Sequence, residues 1–175
     1  VSESNLNRQI IALKTTIGKY KVDVAKERVN SINPNCKVVA IKEKLTKENI
    51  DNFDFKNYDF VVDAIDMVTS KLLIIEKAKK ENVEVISCMG TGNKLDATKL
   101  QICDISKTNY CPLAKVMRKE LKNRGIYHLN VVFSTEQPKH FDEKQRKVTP
   151  ASIAYVPAVA GLYISQFVIK KLMEK

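Results

Sequence analysis

The sequence predicts an α/β fold, a mostly parallel sheet flanked by helices with antiparallel strands added, and three observations carry that prediction. Short β-branched runs alternate along the chain with segments of helical period. One of those runs, YDFVVDAID (58–66), is apolar through its middle rather than alternating, as a fully buried parallel strand would be. With 44% apolar residues in 175, the chain has enough to bury one core, so residues 1–175 read as a single domain.

Taken in order, Val22, Val24, Ala25, Val29 and Ile32 recur at steps of three and four between charged residues, which predicts an amphipathic helix over 20–32 that Pro34 cannot continue. KVVAI (37–41) reads as a short strand and YDFVVDAID as the next. VTSKLLIIEKAKKEN (68–82) follows as a helix and VEVISCMG (83–90) as a strand. KLQICDI (99–105) and LNVVFST (129–135) are strands free to run antiparallel. The helix PLAKVMRKELKNR (112–124) between them has Pro112 at its first position and Gly125 just past its end. Residues 136–150 hold two prolines and few apolar side chains, which predicts a mobile loop. A last helix, about 157–174, contains PAVAGLYISQFVI, read as a buried helix too short and too interrupted by Ser165 and Gln166 for a membrane span.

The excess of 30 Lys and Arg over 20 Asp and Glu, a net charge of +10, favours polyanionic partners such as nucleic acid or nucleotide phosphates. Cys36, Cys88, Cys103 and Cys111 form no C-x-x-C pair, which argues against a zinc site and a dithiol redox pair and fits reduced thiols in the cytoplasm.

In an open parallel sheet ligands gather beyond the carboxyl ends of the strands. Asp63 and Asp66 end one strand and Cys88 to Gly92 the next, so both stretches should face one crevice. Asp63 reads equally as a helix cap or salt-bridge partner. Asp66, between a strand and a helix, is better placed to hold Mg²⁺ near phosphates.

Together SNLNRQ, IGKYK, INPNCKV, VVDAID, MGTGNKLDATKLQICDISKT and YVPAVAGLYISQFVIKKL resemble the adenylating enzymes related to ubiquitin-activating enzyme. Within them the resemblance is nearest to the tRNA threonylcarbamoyladenosine dehydratases, through CDISKTNYCPLAKVMRKELKNRGI. That resemblance implies a Rossmann-like fold using ATP and Mg²⁺. Arg8 and Lys21 would reach the ATP phosphates, Asn5 would add a contact in the same loop, and Asp66 would position the metal and nucleotide. The physics agrees, since a planar guanidinium engages two phosphate oxygens and an ammonium adds a compact charge.

The implied reaction is ATP-dependent activation of the threonyl carboxylate of a modified adenosine in tRNA, followed by ring closure with net loss of water. Adenylation of the C-terminus of a sulfur-carrier or ubiquitin-like protein is the alternative. A non-catalytic tRNA-binding module is a third reading, needing only the basic surface. The family's opening strand, glycine-rich turn, helix and second strand are not found in these residues, so the sequence reads as lacking the first βαβ unit, with weak ATP binding and no activity expected from it alone.

Cys111, just before Pro112, sits at a helix N-cap, where the dipole lowers a thiol pKa, although capping is the plainer role. His128 and His140 have no carboxylate partner at a telling spacing. On the helix 112–124, Lys115, Arg118, Lys119 and Lys122 form one cationic ridge opposite Leu113, Val116, Met117 and Leu121, a candidate track for the tRNA backbone. The last helix is apolar around most of its circumference, and with the usual habit of the superfamily this predicts a homodimer and no membrane partner.

Overall fold

A computed structural model describes residues 1–138 and 150–174. The chain divides into two compact units, Val1–Lys44 and Leu45–Lys175.

In the first unit a 3-10 turn, Glu3–Asn5, is closed by the Asn5 carboxamide, whose Oδ1 accepts from Ser2 N at 3.0 Å. A second turn, Lys14–Thr16, is tied by the Thr16 hydroxyl, which donates to Ile11 O at 2.9 Å. Helix α1, Lys21–Ile32, follows as predicted and ends at Asn33, ahead of Pro34. Val24 is its buried residue, whereas Val29 and Ile32 are exposed. KVVAI is not a strand: residues 37–41 form no ladder, and Val39 is 79% exposed. A β-branched run becomes a strand only beside a hydrogen-bonding neighbour. Here the chain instead folds back on α1, where Lys42 pairs with Asp23 at 2.8 Å and lies over the Tyr20 ring.

The second unit carries the sheet. Strands β1 (Phe60–Asp63), β2 (Glu84–Cys88), β3 (Leu100–Asp104) and β4 (Asn130–Ser134) lie in the order β1-β2-β4-β3. β1 pairs parallel with β2, and β2 parallel with β4. β3 runs antiparallel to β4, with Ile102 opposite Val132, as the free strands of the sequence allow. Helices α2 (Val68–Lys80), α3 (Pro112–Lys122) and α4 (Tyr155–Met173) complete the unit.

Period-two alternation sorts the side chains between two cores. Val85, Val131 and Phe133 face a core built with Leu72, Ile75 and Ala78 of α2 and Ala114, Met117 and Leu121 of α3. Ile86 and Val132 face the other, covered by Val156, Ala160 and Ile164 of α4. α3 starts on Pro112, and the chain leaves it through Gly125, whose φ of +74° suits the residue without a Cβ.

β1 departs from its predicted burial. It forms the edge of this sheet, and Val62, on the α4 side, is 47% exposed. A continuous apolar run marks the residues that could be buried on both faces, and at an edge only one face is covered. α4 also begins two residues before its predicted start. Its 19 residues, at a mean hydropathy of 1.2, suffice by length and composition to cross a membrane. One stripe packs on the sheet, while Leu162, Ile169 and Met173 are exposed.

Of the predicted loop 136–150, residues 139–149, including His140, lie outside the described residues. Glu136 is firmly held: its carboxylate accepts from Leu95 N and Asp96 N, each at 2.9 Å.

Candidate active site

The carboxyl ends of β1 and β2 are fastened by a buried ion pair. Asp63 Oδ2 lies 2.9 Å from Lys71 Nζ, with both side chains fully buried. The Ser87 hydroxyl donates to the same carboxylate, and Ile65 N donates to Oδ1 at 3.1 Å. Lys71 also donates to Ile65 O and Cys88 O, at 2.9 and 2.8 Å. Every polar atom of the pair is therefore partnered, the condition under which buried charge is tolerated. Asp63 is thus a salt-bridge residue, one of the two roles its position allowed. Lys71 escaped the sequence reading, though it had a signal: Lys71, Ile75 and Ala78 fall at i, i+4 and i+7 on the buried face of α2.

That fastening determines the course of the loop that follows β1. Ile65 gives both its backbone N–H and its carbonyl to the ion pair, and Asp66 next to it is exposed. Among the described residues no three His, Cys, Asp or Glu side chains gather as a metal cluster. A single exposed carboxylate fits Mg²⁺, which is commonly held by one or two carboxylates together with substrate phosphates.

The loop after β2 lies against the start of α3, since a Cβ on Gly90 would stand 3.6 Å from Leu113 Cβ. At Gly92 a Cβ would come within 2.7 Å of Pro150 Cβ, so the second glycine of the GTG run is needed for this close approach, whereas Gly90 has room for a Cβ. Asn93 N donates to Ala151 O, and Ala151 N to Asn93 Oδ1, both at 2.8 Å. Lys94, also missed in the sequence, is buried with Nζ donating to Ser134 O at 2.8 Å, and burial lowers its pKa.

Neither Cys88 nor Cys111 is placed as a nucleophile. Burial, opposed by the nearby Lys71 charge, pushes the Cys88 thiol up to about 11. Cys111 is the N-cap residue of α3, but its side chain makes no cap hydrogen bond and packs in the core instead. His128 does have a carboxylate partner: its Nδ1 lies 3.3 Å from Asp104 Oδ2, across 24 residues of sequence that hid the pair.

The remaining predicted residues divide between the units. In the first, Asn5 is buried and Arg8 follows it on the same turn, with Arg8 N donating to Asn5 O at 3.2 Å. Arg8 Nη1 donates to Ser4 O at 2.7 Å and Asn7 Oδ1 at 2.9 Å, which fixes the guanidinium. Lys21 is the exposed first residue of α1. In the second unit Lys115, Lys119 and Lys122 are exposed along α3, whereas Arg118 leaves the ridge. Its guanidinium donates to Ile105 O and Thr108 O at 3.3 and 3.0 Å, and to the Thr108 hydroxyl.

A mostly parallel open sheet with an exposed carboxylate and glycine-containing loops beyond its carboxyl ends defines an α/β protein of the kind in which ligands gather at that edge. A model of the ThiF family matches residues 1–175, and the chain belongs to that family. Within it the chain is similar to tRNA threonylcarbamoyladenosine dehydratases. That of Bacillus subtilis is 39% identical, the match covering 99% of this chain and 74% of the relative. That of Haemophilus influenzae is 33% identical, over 98% of this chain and 72% of the relative. The crystal structure of the Escherichia coli enzyme, TcdA, in complex with ATP superposes with a TM-score of 0.90 at 30% identity, covering 99% of this chain and 72% of that one.

Proposed function

We propose that the protein is an ATP-dependent tRNA threonylcarbamoyladenosine dehydratase, acting in the cytoplasm. The observation that carries this reading is similarity to enzymes of that name along nearly the whole chain. ATP converts the threonyl carboxylate to an acyl adenylate with loss of pyrophosphate. The carbamoyl nitrogen then attacks the activated carbonyl, closing a ring and releasing AMP. Arg8 and Lys21 bind and orient the phosphates, Asn5 supports their loop, and Asp66 holds Mg²⁺. The metal supplies charge neutralisation at the phosphates. The test is AMP release from ATP by the full-length protein: it should require tRNA carrying threonylcarbamoyladenosine and be absent with unmodified tRNA. Release driven instead by a sulfur-carrier protein would select the alternative adenylation.

We also propose that α3 tracks the tRNA backbone through Lys115, Lys119 and Lys122. Neutralising the three together should flatten the salt dependence of tRNA binding by about two to three units of log–log slope, read by filter binding at several salt concentrations. Parallel lines for the variant and wild type would place the tRNA elsewhere. The exposed stripe of α4, Leu162, Ile169 and Met173, is proposed to lie in a homodimer interface rather than a membrane. Light scattering of the full-length protein at tens of micromolar should give twice the chain mass, and a monomer would contradict it.

A further inference from the structure

Tyr110 is held in a conformation that its own stability does not favour. Its φ is +48°, in the left-handed region that is a genuine outlier for a bulky side chain, and the residue is 57% exposed. The surrounding turn is tightly built. The Thr108 hydroxyl donates to Ile105 O at 2.7 Å, and Arg118 donates to the carbonyls of both residues. Cys111 and Pro112 then lock the chain into α3, whose first turn meets the Gly90 loop at the carboxyl end of β2. An aromatic ring is thus exposed between a fixed turn and the first turn of α3. The exposed cations Lys107 and Lys115 lie three residues before it and five after.

We propose that Tyr110 is a substrate-positioning platform on which a nucleobase of the tRNA anticodon loop stacks. This rests on the dehydratase reading for the identity of the RNA. Single-stranded loops are recognised by stacking unpaired bases on aromatic side chains while nearby cations bind the backbone. A left-handed backbone at an aromatic residue costs stability that Gly or Asn would not, so a role for the ring accounts for its presence there.

The experiment compares wild-type full-length protein with Y110A, Y110G and Y110W. The measurements are binding of a threonylcarbamoylated anticodon stem–loop, KM for ATP and Tm. Base stacking on an aromatic residue predicts about a tenfold loss of stem–loop affinity in Y110A and Y110G. KM for ATP should be unchanged. Y110G should melt at a higher temperature than wild type, because glycine relieves the backbone, so loss of binding cannot be misread as unfolding. Y110W adds an indole to a stretch of 175 residues that otherwise holds none, and the emission it adds over that of the wild-type protein should be quenched by the stem–loop but not by heparin. Wild-type stem–loop affinity in Y110A and Y110G overturns the proposal, as does equal quenching by heparin. Weakened dimerisation with unchanged stem–loop binding would also overturn it, moving Tyr110 to a protein interface. Because binding is read directly, absence of tRNA-dependent AMP release in the wild type defeats the dehydratase reading and still leaves the stacking step decided.

Discussion

Lys71→Met should lower the unfolding free energy by about 3–5 kcal/mol, the usual cost of leaving one member of a buried ion pair alone. In wild type the Asp63 carboxylate and the Lys71 ammonium are both fully buried and 2.9 Å apart. Removing the cation leaves the carboxylate with Ser87 and the Ile65 N–H as its partners. It also strands Ile65 O and Cys88 O, each of which accepts from Lys71. The double variant Asp63→Asn, Lys71→Met should recover a large part of the loss, because exchanging the pair for uncharged groups removes the desolvation cost together with the attraction. Urea unfolding of the wild type, both single variants and the double variant measures the coupling. A loss below about 1 kcal/mol in Lys71→Met would mean that the pair is not what holds the ends of β1 and β2. Activity should fall with stability, since the Ile65 backbone bound by this pair sets the position of the Asp66 loop.

What could be read in the sequence was what depends on local pattern. The helices over 21–32, 68–80 and 112–122 and the strands around 60–63, 84–88, 100–104 and 130–134 follow from period and from stop signals such as Pro34 and Gly125. What could not be read depends on neighbours. KVVAI has the composition of a strand and lacks a partner, and Val62 has that of a core residue but sits on an edge. Arg118 belongs to a cationic row by spacing, yet the carbonyls of the turn at 105–108 lie within its reach. Lys71 and Lys94 look like surface lysines until the fold supplies a carboxylate or a carbonyl for each. Asn5, Arg8, Lys21 and Asp66 are a different case. No periodicity singles them out: Asp66 is suggested by its place between a strand and a helix, and the roles of Asn5, Arg8 and Lys21 come from the register of motifs shared with the adenylating enzymes.

Those roles lead to the second large effect. Arg8→Ala, Lys21→Ala and Asp66→Ala, each in the full-length protein, should cut tRNA-dependent AMP release by tenfold or more, at least about 1.4 kcal/mol of transition-state stabilisation. Under the proposed role, Arg8 would meet an anion with its guanidinium already held. Its bonds to Ser4 O and Asn7 Oδ1 hold the fork in one orientation, so a phosphate meets a positioned guanidinium. Lys21 is placed against its own helix. A cation at the first position of α1 faces the positive end of the helix dipole, and Tyr20 supplies no side-chain cap. A bound phosphate would turn that local penalty into an attraction, drawing on the ammonium and the free helix N–H groups together. Asp66 is exposed while Asp63 is sealed in its ion pair, so it is the carboxylate of VVDAID left to reach a metal. None of the three belongs to the buried core, so each variant should melt close to wild type, as surface substitutions generally do. Asp66→Asn sharpens the test, because it keeps the shape of the side chain and removes the charge that Mg²⁺ requires; its activity should fall as far as that of Asp66→Ala. Near-normal turnover in all the variants, with tRNA binding intact, would remove these residues from the phosphate site.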